Sequence, residues 1–214
     1  SEMCIRDRIS INPQTVNDEV LKTIGRKHTA QQFFDAFELA RKCGFDNINT
    51  DLIAGLPTDT PESFKNSLDS IVRLNAECIT VHTLCMKRAS RLTTEGVTLD
   101  LQQARDAREM LAYTQNILGQ NEYIPYYMYR QSRMVGNLEN VGWSKKGFES
   151  LYNVYVMDET HTILACGSGG VTKLKRNNPD YLERIFNFKY PYEYIDRFDE
   201  LIQRKSGIMQ FYGQ

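Results

Sequence analysis

A carboxylate set in an apolar, β-rich run is costly unless it finds a partner, and Asp51 is such a group. It lies in Asn49-Thr50-Asp51-Leu52-Ile53-Ala54-Gly55-Leu56-Pro57, four residues before a glycine turn. In parallel sheets the carboxyl ends of the strands face the active site, so Asp51 is a candidate for binding chemistry, with a carboxylate bonded to a neighbouring loop as the alternative. Gln14 follows an earlier β-rich stretch and Arg26 follows a short helical one. A Gln both donates and accepts, and an Arg pairs bidentately with a carboxylate; taken singly, each also reads as a solvated surface residue. Gly167, Gly169 and Gly170 could bring backbone N–H groups to an anion, or form an ordinary turn. Tyr126, Tyr127, Tyr129, Arg130, Arg133, Trp143, Lys145 and Lys146 mix aromatic faces with positive charge, which suits a flat aromatic anion or an ordinary β-surface. His28, His82 and His161 show no ligand spacing, and no serine sits in a nucleophile elbow. Cys4, Cys43, Cys78, Cys85 and Cys166 are scattered without a CxxC. That pattern argues for reduced thiols in a cytosolic setting and against a metal site built from this chain alone.

The elements that must position these groups alternate. Residues 9–13 are β-rich, and Asn17 is placed to cap a helix running to about Gly25. Thr29 with Gln32 forms a capping-box pattern, followed by the apolar stripe Phe33, Phe34, Phe37 and Ala40 and a stop at Gly44. Residues 47–55 read as a strand. Thr60 and Pro61 open a helix with Phe64, Leu68, Ile71 and Val72 on one face. Residues 78–84 are again β-rich, and Asp100 is placed to cap a long helix to about Gly119. The order β-α-α-β-α-β-α predicts parallel pairing through βαβ crossovers, yet too few units to close a barrel. Farther on, 121–135 is aromatic and extended, 136–148 reads as a loop, and 151–165 as a strand then a short helix. A glycine turn follows, then a short helix from Asn178-Pro179 and a last helix over 191–205.

Composition excludes several classes. The chain has 214 residues, and 26 Lys+Arg against 27 Asp+Glu leave a net charge of −1, which argues against a polybasic nucleic-acid binder. With 41% apolar and 25% charged residues it is a foldable chain. No apolar run is long enough for a membrane span, and no secretory signal pattern is present, so a cytoplasmic setting is expected.

The combination Arg8-Ile9-Ser10-Ile11-Asn12-Pro13-Gln14, Gly25-Arg26, the Asp51 strand with Gly55-Leu56-Pro57, and Thr60-Pro61-Glu62-Ser63-Phe64 resembles the radical S-adenosylmethionine (SAM) enzymes of the oxygen-independent coproporphyrinogen III oxidase family. Met134-Val135-Gly136-Asn137-Leu138-Glu139-Asn140-Val141-Gly142 and residues 163–173 resemble its HemZ branch. The resemblance implies an α/β fold, the second half of an open (β/α)6 radical SAM barrel followed by a small α+β C-terminal domain. The expected boundaries are 8–120 for the partial barrel and 121–214 for a substrate-cavity domain.

The same resemblance implies that Gln14, Arg26 twelve residues on, Asp51 and the strand-end Cys85 line the SAM region, and that Tyr152, Asn153 and Val171 face the same cavity. Arg130, Arg133, Lys145 and Lys146 are candidates to meet the propionates of a tetrapyrrole substrate. Family members hold a [4Fe–4S] cluster on a CxxxCxxC loop, a motif this chain lacks. No catalytic residue or metal ligand is therefore assigned here. The expectation is the C-terminal half of a larger enzyme, missing its N-terminal half. Residues 1–7 then resemble translated adapter sequence, and Cys4 is no ligand. The parent would convert coproporphyrinogen III propionates to vinyls by oxidative decarboxylation, the fragment itself being inactive. The alternatives are a haem-binding chaperone of the same fold, a radical SAM enzyme for another substrate class, and an unrelated α/β-barrel binding domain. The chaperones tend to carry a His-Asn-x-x-Tyr-Trp segment, where this chain reads Leu151-Tyr152-Asn153-Val154-Tyr155-Val156.

Overall fold

The computed structural model describes residues 8–85, 101–130, 135–177 and 180–213. The expected leader over 1–7, the Asp100 cap, Arg133 and Asn178-Pro179 lie outside the described residues. The chain divides into two compact units, Ser1–Glu149 and Ser150–Gln214.

The first unit is built on β1 (Ile9–Ser10), β2 (Ile48–Ala54), β3 (Cys78–Thr83), β4 (Ile124–Tyr129) and β5 (Asn140–Ser144), in the sheet order β1-β2-β3-β5-β4. The first three strands are parallel, as βαβ crossovers require, and β5 and β4 continue the sheet antiparallel. Among the described residues four α-helices connect them: α1 (Asp18–Thr23), α2 (Ala30–Lys42), α3 (Pro61–Arg73) and α4 (Leu101–Gln120). Their starts are fixed locally. Asn17 accepts from the backbone N–H groups of Glu19 and Val20, Thr29 and Gln32 close a reciprocal capping box, and Thr60 accepts from Ser63 with Pro61 in the first turn.

Strand β2 alternates strictly between buried and half-buried residues. One side, Ile48, Leu52 and Ala54, joins Ile79, Val81 and Trp143 against Phe33, Phe37, Phe64, Leu68, Ile71 and Met110 of the helices in a single core. The other side carries Asn49, Asp51 and Ile53, in register with Cys78, Thr80 and His82 of β3. The helices thus cover one face of the sheet, and the opposite face is lined largely by polar side chains.

The sequence expectation for 136–148 was a loop, yet 140–144 is a sheet strand. Gly142 is there for packing, not for a turn. It pairs with Tyr127, whose ring lies within 1.8 Å of where a Cβ at 142 would sit. The unit also runs past the expected boundary at 120, because β4 and β5 hydrogen-bond into the sheet through β3.

The second unit contains α5 (Leu151–Asp158), β6 (Val171–Asn177), β7 (Asp180–Phe186), α6 (Pro191–Asp196), α7 (Phe198–Lys205) and α8 (Gly207–Tyr212). The helix comes directly at 151, not after a strand. Its carboxyl end at Glu159 adopts φ 52° and pairs with Lys173 and Arg184, each at 2.7 Å. Residues 180–186, expected as a short helix, form the second arm of an antiparallel pair with β6. The expected helix over 191–205 is broken at Arg197, whose guanidinium lies 4.2 Å from the centre of the Phe188 ring. Leu174, Ile185 and Phe211 form this unit's own small core.

Candidate functional site

The polar face of the first unit is the candidate site. Asp51 stands in the middle of β2, opposite Thr80 of β3. Its Oδ1 accepts from Asn49 Nδ2 at 2.8 Å, and its Oδ2 lies 3.5 Å from His82 Nε2. His82 Nδ1 is 3.3 Å from the Tyr129 hydroxyl, and the two rings meet edge to face. A second chain of contacts runs from Asn49 Oδ1 to the Thr80 hydroxyl (3.3 Å) and from that hydroxyl to Tyr127 OH (3.1 Å). Tyr127 and Tyr129 stack with ring centres 6.3 Å apart. Burial pushes both phenols above their ordinary range. They are therefore neutral hydrogen-bonding groups at physiological pH.

Gln14 reaches the same place through its backbone. Its N–H donates to Asp51 O (3.0 Å) and its carbonyl accepts from Ile53 N–H (2.9 Å), a single parallel bridge beyond β1. It does so at φ 71°, in the left-handed region that non-glycine residues seldom occupy. Such conformations persist only where surrounding bonds hold them, and they cluster at binding sites. Gln14 is also buried.

The other expected site residues lie as follows. Arg26 is exposed just past α1, its backbone N–H donating to Leu21 O, and no described contact joins its guanidinium to Asp51 or Gln14. Cys85 is half-buried immediately after β3, and no disulfide engages it. In the second unit, Tyr152 and Asn153 lie in the first turn of α5, with Tyr152 exposed, while Val171 opens β6 opposite Phe186. The glycine turn is structural. Gly167 N–H donates to Tyr194 OH, Gly169 N–H to Phe188 O and Gly170 N–H to Gly167 O, so these donors are already spent within the fold.

Of the basic candidates, Arg130 is paired with Glu139 at 2.7 Å. Lys145 bonds to Asn75 beside the buried Glu77, at the amino end of β3, and burial lowers its pKa. That end is remote in register from the Asp51–His82 level. Lys146 is exposed, and Arg133 lies outside the described residues. A groove of about 640 Å³ lies on the opposite, helix-bearing side, lined by Leu111, Tyr126, Met128, Val141 and Trp143 among others, and includes none of the seven expected site residues. Among the described residues no group of three or more His, Cys, Asp or Glu side chains could hold a metal ion, and no helix is long and apolar enough to cross a membrane.

Sequence reasoning missed Asn49 and Thr80, set His82 aside for want of ligand spacing, and named Tyr129 only within an aromatic and basic mixture. A signal was present: the period-two alternation that puts Asn49 beside Asp51 also puts Thr80 beside His82. Only the strand register joins the two pairs.

A model of the radical SAM superfamily matches residues 3–71. The chain is 39% identical over 204 residues to the oxygen-independent coproporphyrinogen-III oxidase-like protein HemZ of Bacillus subtilis, covering 95% of this chain and 41% of that protein. It is 33% identical over 181 residues to the haem chaperone HemW of Lactococcus lactis, covering 80% of this chain and 43% of that one. In structure it is similar to coproporphyrinogen III oxidase (HemN) from Escherichia coli, a radical SAM enzyme, with a TM-score of 0.65 at 20% identity over 91% of this chain and 43% of that chain. The last likeness shows the fold. The chain thus spans less than half the length of these relatives.

Proposed function

The chain belongs to the HemZ- and HemN-like coproporphyrinogen oxidase family with its radical SAM domain, and from that premise we propose that its polar sheet face forms a wall of a SAM-binding cavity. The observation that carries the reading is the meeting of Asp51 and Gln14, the first an accessible carboxylate on the non-core face and the second a buried residue held beside it in a left-handed conformation. The donor set suits the cofactor. SAM carries an amine, ribose hydroxyls and a carboxylate. Asp51 accepts from the amine or the hydroxyls, Gln14 bridges, and the Arg26 guanidinium takes the carboxylate. Cys85 contributes through its backbone.

Given one electron from a cluster held outside the described residues, bound SAM would supply a carbon radical able to abstract hydrogen. This chain's residues would orient the cofactor. The described residues do not fit a [4Fe–4S] cluster. For the whole protein the reading is oxidative decarboxylation of coproporphyrinogen III propionates to vinyl groups, with a tetrapyrrole as substrate. The test is calorimetric titration of SAM into the wild type and Asp51→Ala. Loss of one hydrogen-bonded charged partner removes about 1.5–3 kcal/mol, roughly tenfold or more in affinity. Equal affinity would make Asp51 a structural carboxylate.

A second reading, a haem-binding protein on the same fold, is favoured by the likeness to the Lactococcus lactis haem chaperone. The segment 151–156 lacks the His and Trp expected of it. Stoichiometric haem uptake followed by absorbance, in a protein that does not bind SAM, would select it.

A further inference from the structure

Asn49 engages its whole side-chain amide with groups on three neighbouring strands. Its Nδ2 donates to Asp51 Oδ1 on β2 at 2.8 Å and reaches Ser10 Oγ on β1 at 3.4 Å. Its Oδ1 accepts from the Thr80 hydroxyl on β3 at 3.3 Å, and that hydroxyl lies 3.1 Å from Tyr127 OH on β4. Thr80 is buried, and Asn49 and Tyr127 are half-buried. Tyr127, Thr80, Asn49 and Asp51 thus form one hydrogen-bonded row across the polar face of the sheet, with the carboxylate at its end.

We propose that Asn49 is a positioning residue for Asp51, itself oriented by Thr80 and Tyr127 through a one-way relay of hydrogen bonds; the inference rests on the SAM reading of Asp51. The direction of each bond follows from the end of the row. An ionised carboxylate only accepts, so the amide nitrogen of Asn49, and not its oxygen, must face Asp51. The oxygen then faces Thr80, which must donate to it. A hydroxyl has one proton, so Thr80 has none left for Tyr127 and accepts from the phenol instead. Burial pushes that phenol above its ordinary range, so it keeps the proton that the row requires. Three donors therefore point the same way, toward Asp51, and bonds in such a chain polarise one another.

The consequence is for the orientation of the carboxylate. The last torsion of an aspartate is soft, so an untethered carboxyl group turns through a broad range. Here Oδ1 is tied at 2.8 Å to an amide whose own rotation is stopped by Thr80 on one side and Ser10 on the other. The lone pairs that Asn49 does not take are left for donors outside the protein, an ammonium group or sugar hydroxyls. A carboxylate already held in place loses less freedom when such a ligand arrives. Asn49, Thr80 and the neutral Tyr127 add no charge of their own, so the row orients Asp51 without neutralising it.

The experiment is calorimetric titration of SAM into the full chain, for the wild type, Asp51→Ala, Asn49→Ala, Thr80→Val, Thr80→Ser and the double variant Asn49→Ala with Asp51→Ala. Circular dichroism and urea midpoints check that each variant is folded. Asn49→Ala is expected to weaken SAM binding by about three- to tenfold. Thr80→Val keeps the shape of the side chain but removes the hydroxyl, and weakens binding by about two- to fivefold; Thr80→Ser restores the hydroxyl and recovers the affinity. In the Asp51→Ala background, Asn49→Ala causes no further loss, because Asn49 acts only through that carboxylate. A merely structural Asn49 would lower the urea midpoint and leave the affinity of the folded variant unchanged. If Asn49→Ala does not fold, the Thr80→Val and Thr80→Ser pair decides alone. An Asn49→Ala variant that binds as well as the wild type, a loss of equal size in the Asp51→Ala background, or a Thr80→Ser variant no better than Thr80→Val overturns the proposal while Asp51 retains its role. A wild type that does not bind, or an Asp51→Ala variant that binds as well as the wild type, overturns the SAM reading and the proposal with it.

Discussion

Replacing Gly142 with Ala adds one methyl group in a place that has no room for it. The new Cβ would fall 1.8 Å from Tyr127 Cε1, 2.4 Å from Cδ1 and 2.5 Å from Cζ, all far inside van der Waals contact. The backbone at 142 is in the sheet, so the ring must move. That ring packs edge to face on Tyr126 at 4.8 Å, and its hydroxyl is 3.1 Å from Thr80 Oγ1. Overpacking of this kind costs about 1–3 kcal/mol, and loss of the Tyr127–Thr80 hydrogen bond adds about 1 kcal/mol. A less flexible unfolded chain returns about 0.4–1 kcal/mol. The net is a destabilisation of about 1–3 kcal/mol, which lowers a urea midpoint by roughly 1 M at an m-value near 2 kcal/mol/M. The cycle with Tyr127→Ala isolates the cause. Once the ring is gone, Gly142→Ala should be neutral or slightly stabilising. An equal loss in both backgrounds, or none in the wild type, would refute the steric argument.

Glu77 is buried with Oε1 on Arg41 Nη2 at 2.8 Å and Oε2 on the Ile48 N–H at 2.9 Å. Glu77→Ala therefore strands a guanidinium and a backbone donor and should lower stability by about 2–4 kcal/mol in chemical unfolding, whereas removing the exposed Glu38–Lys42 pair should leave the midpoint unchanged. Burial pushes the Cys78 thiol up, and Sγ lies 3.2 Å from Phe148 O; mass spectrometry after brief alkylation at pH 8 should find the exposed Cys43 and Cys166 labelled before it, and equal rates would contradict the burial. Burial also raises the Tyr123 and Tyr127 phenols. The fold then holds both neutral where the unfolded chain ionises near pH 10, so their contribution is complete below about pH 10 and is lost as pH rises above it. Urea midpoints measured from pH 8 to 11 should fall less steeply in Tyr127→Phe.

The helices were legible because their signals are local. Thr29 and Gln32 lie one turn apart, and so do Thr60 and Ser63, and each pair meets as its spacing implies. Strands β2 and β3 were legible from their apolar runs. The strand at 140–144 was not, because a glycine in sequence looks the same whether it serves a turn or the ring of Tyr127. The helix at 151–158 was misplaced because none of its residues is buried, so no apolar stripe marks it. Asp51 and Gln14 could be paired from sequence only through the family's intervals. Nothing local joins His82 to Tyr129, which lies 47 positions away on β4 and meets it across β5, the strand between β3 and β4.

The alternation along β2 and β3 has a consequence for how this protein can change. Successive residues of one strand answer to different constraints: Leu52 and Ile79 to the packing of helices, Asp51, Thr80 and His82 to whatever occupies the other face. A substitution at one parity leaves the other parity's contacts in place. Selection can therefore retune the polar face without repacking the interior. Two relatives that share the helix-side residues can differ wholly in what their opposite faces hold, and a comparison of such relatives is most informative when the odd and even positions of each strand are read separately.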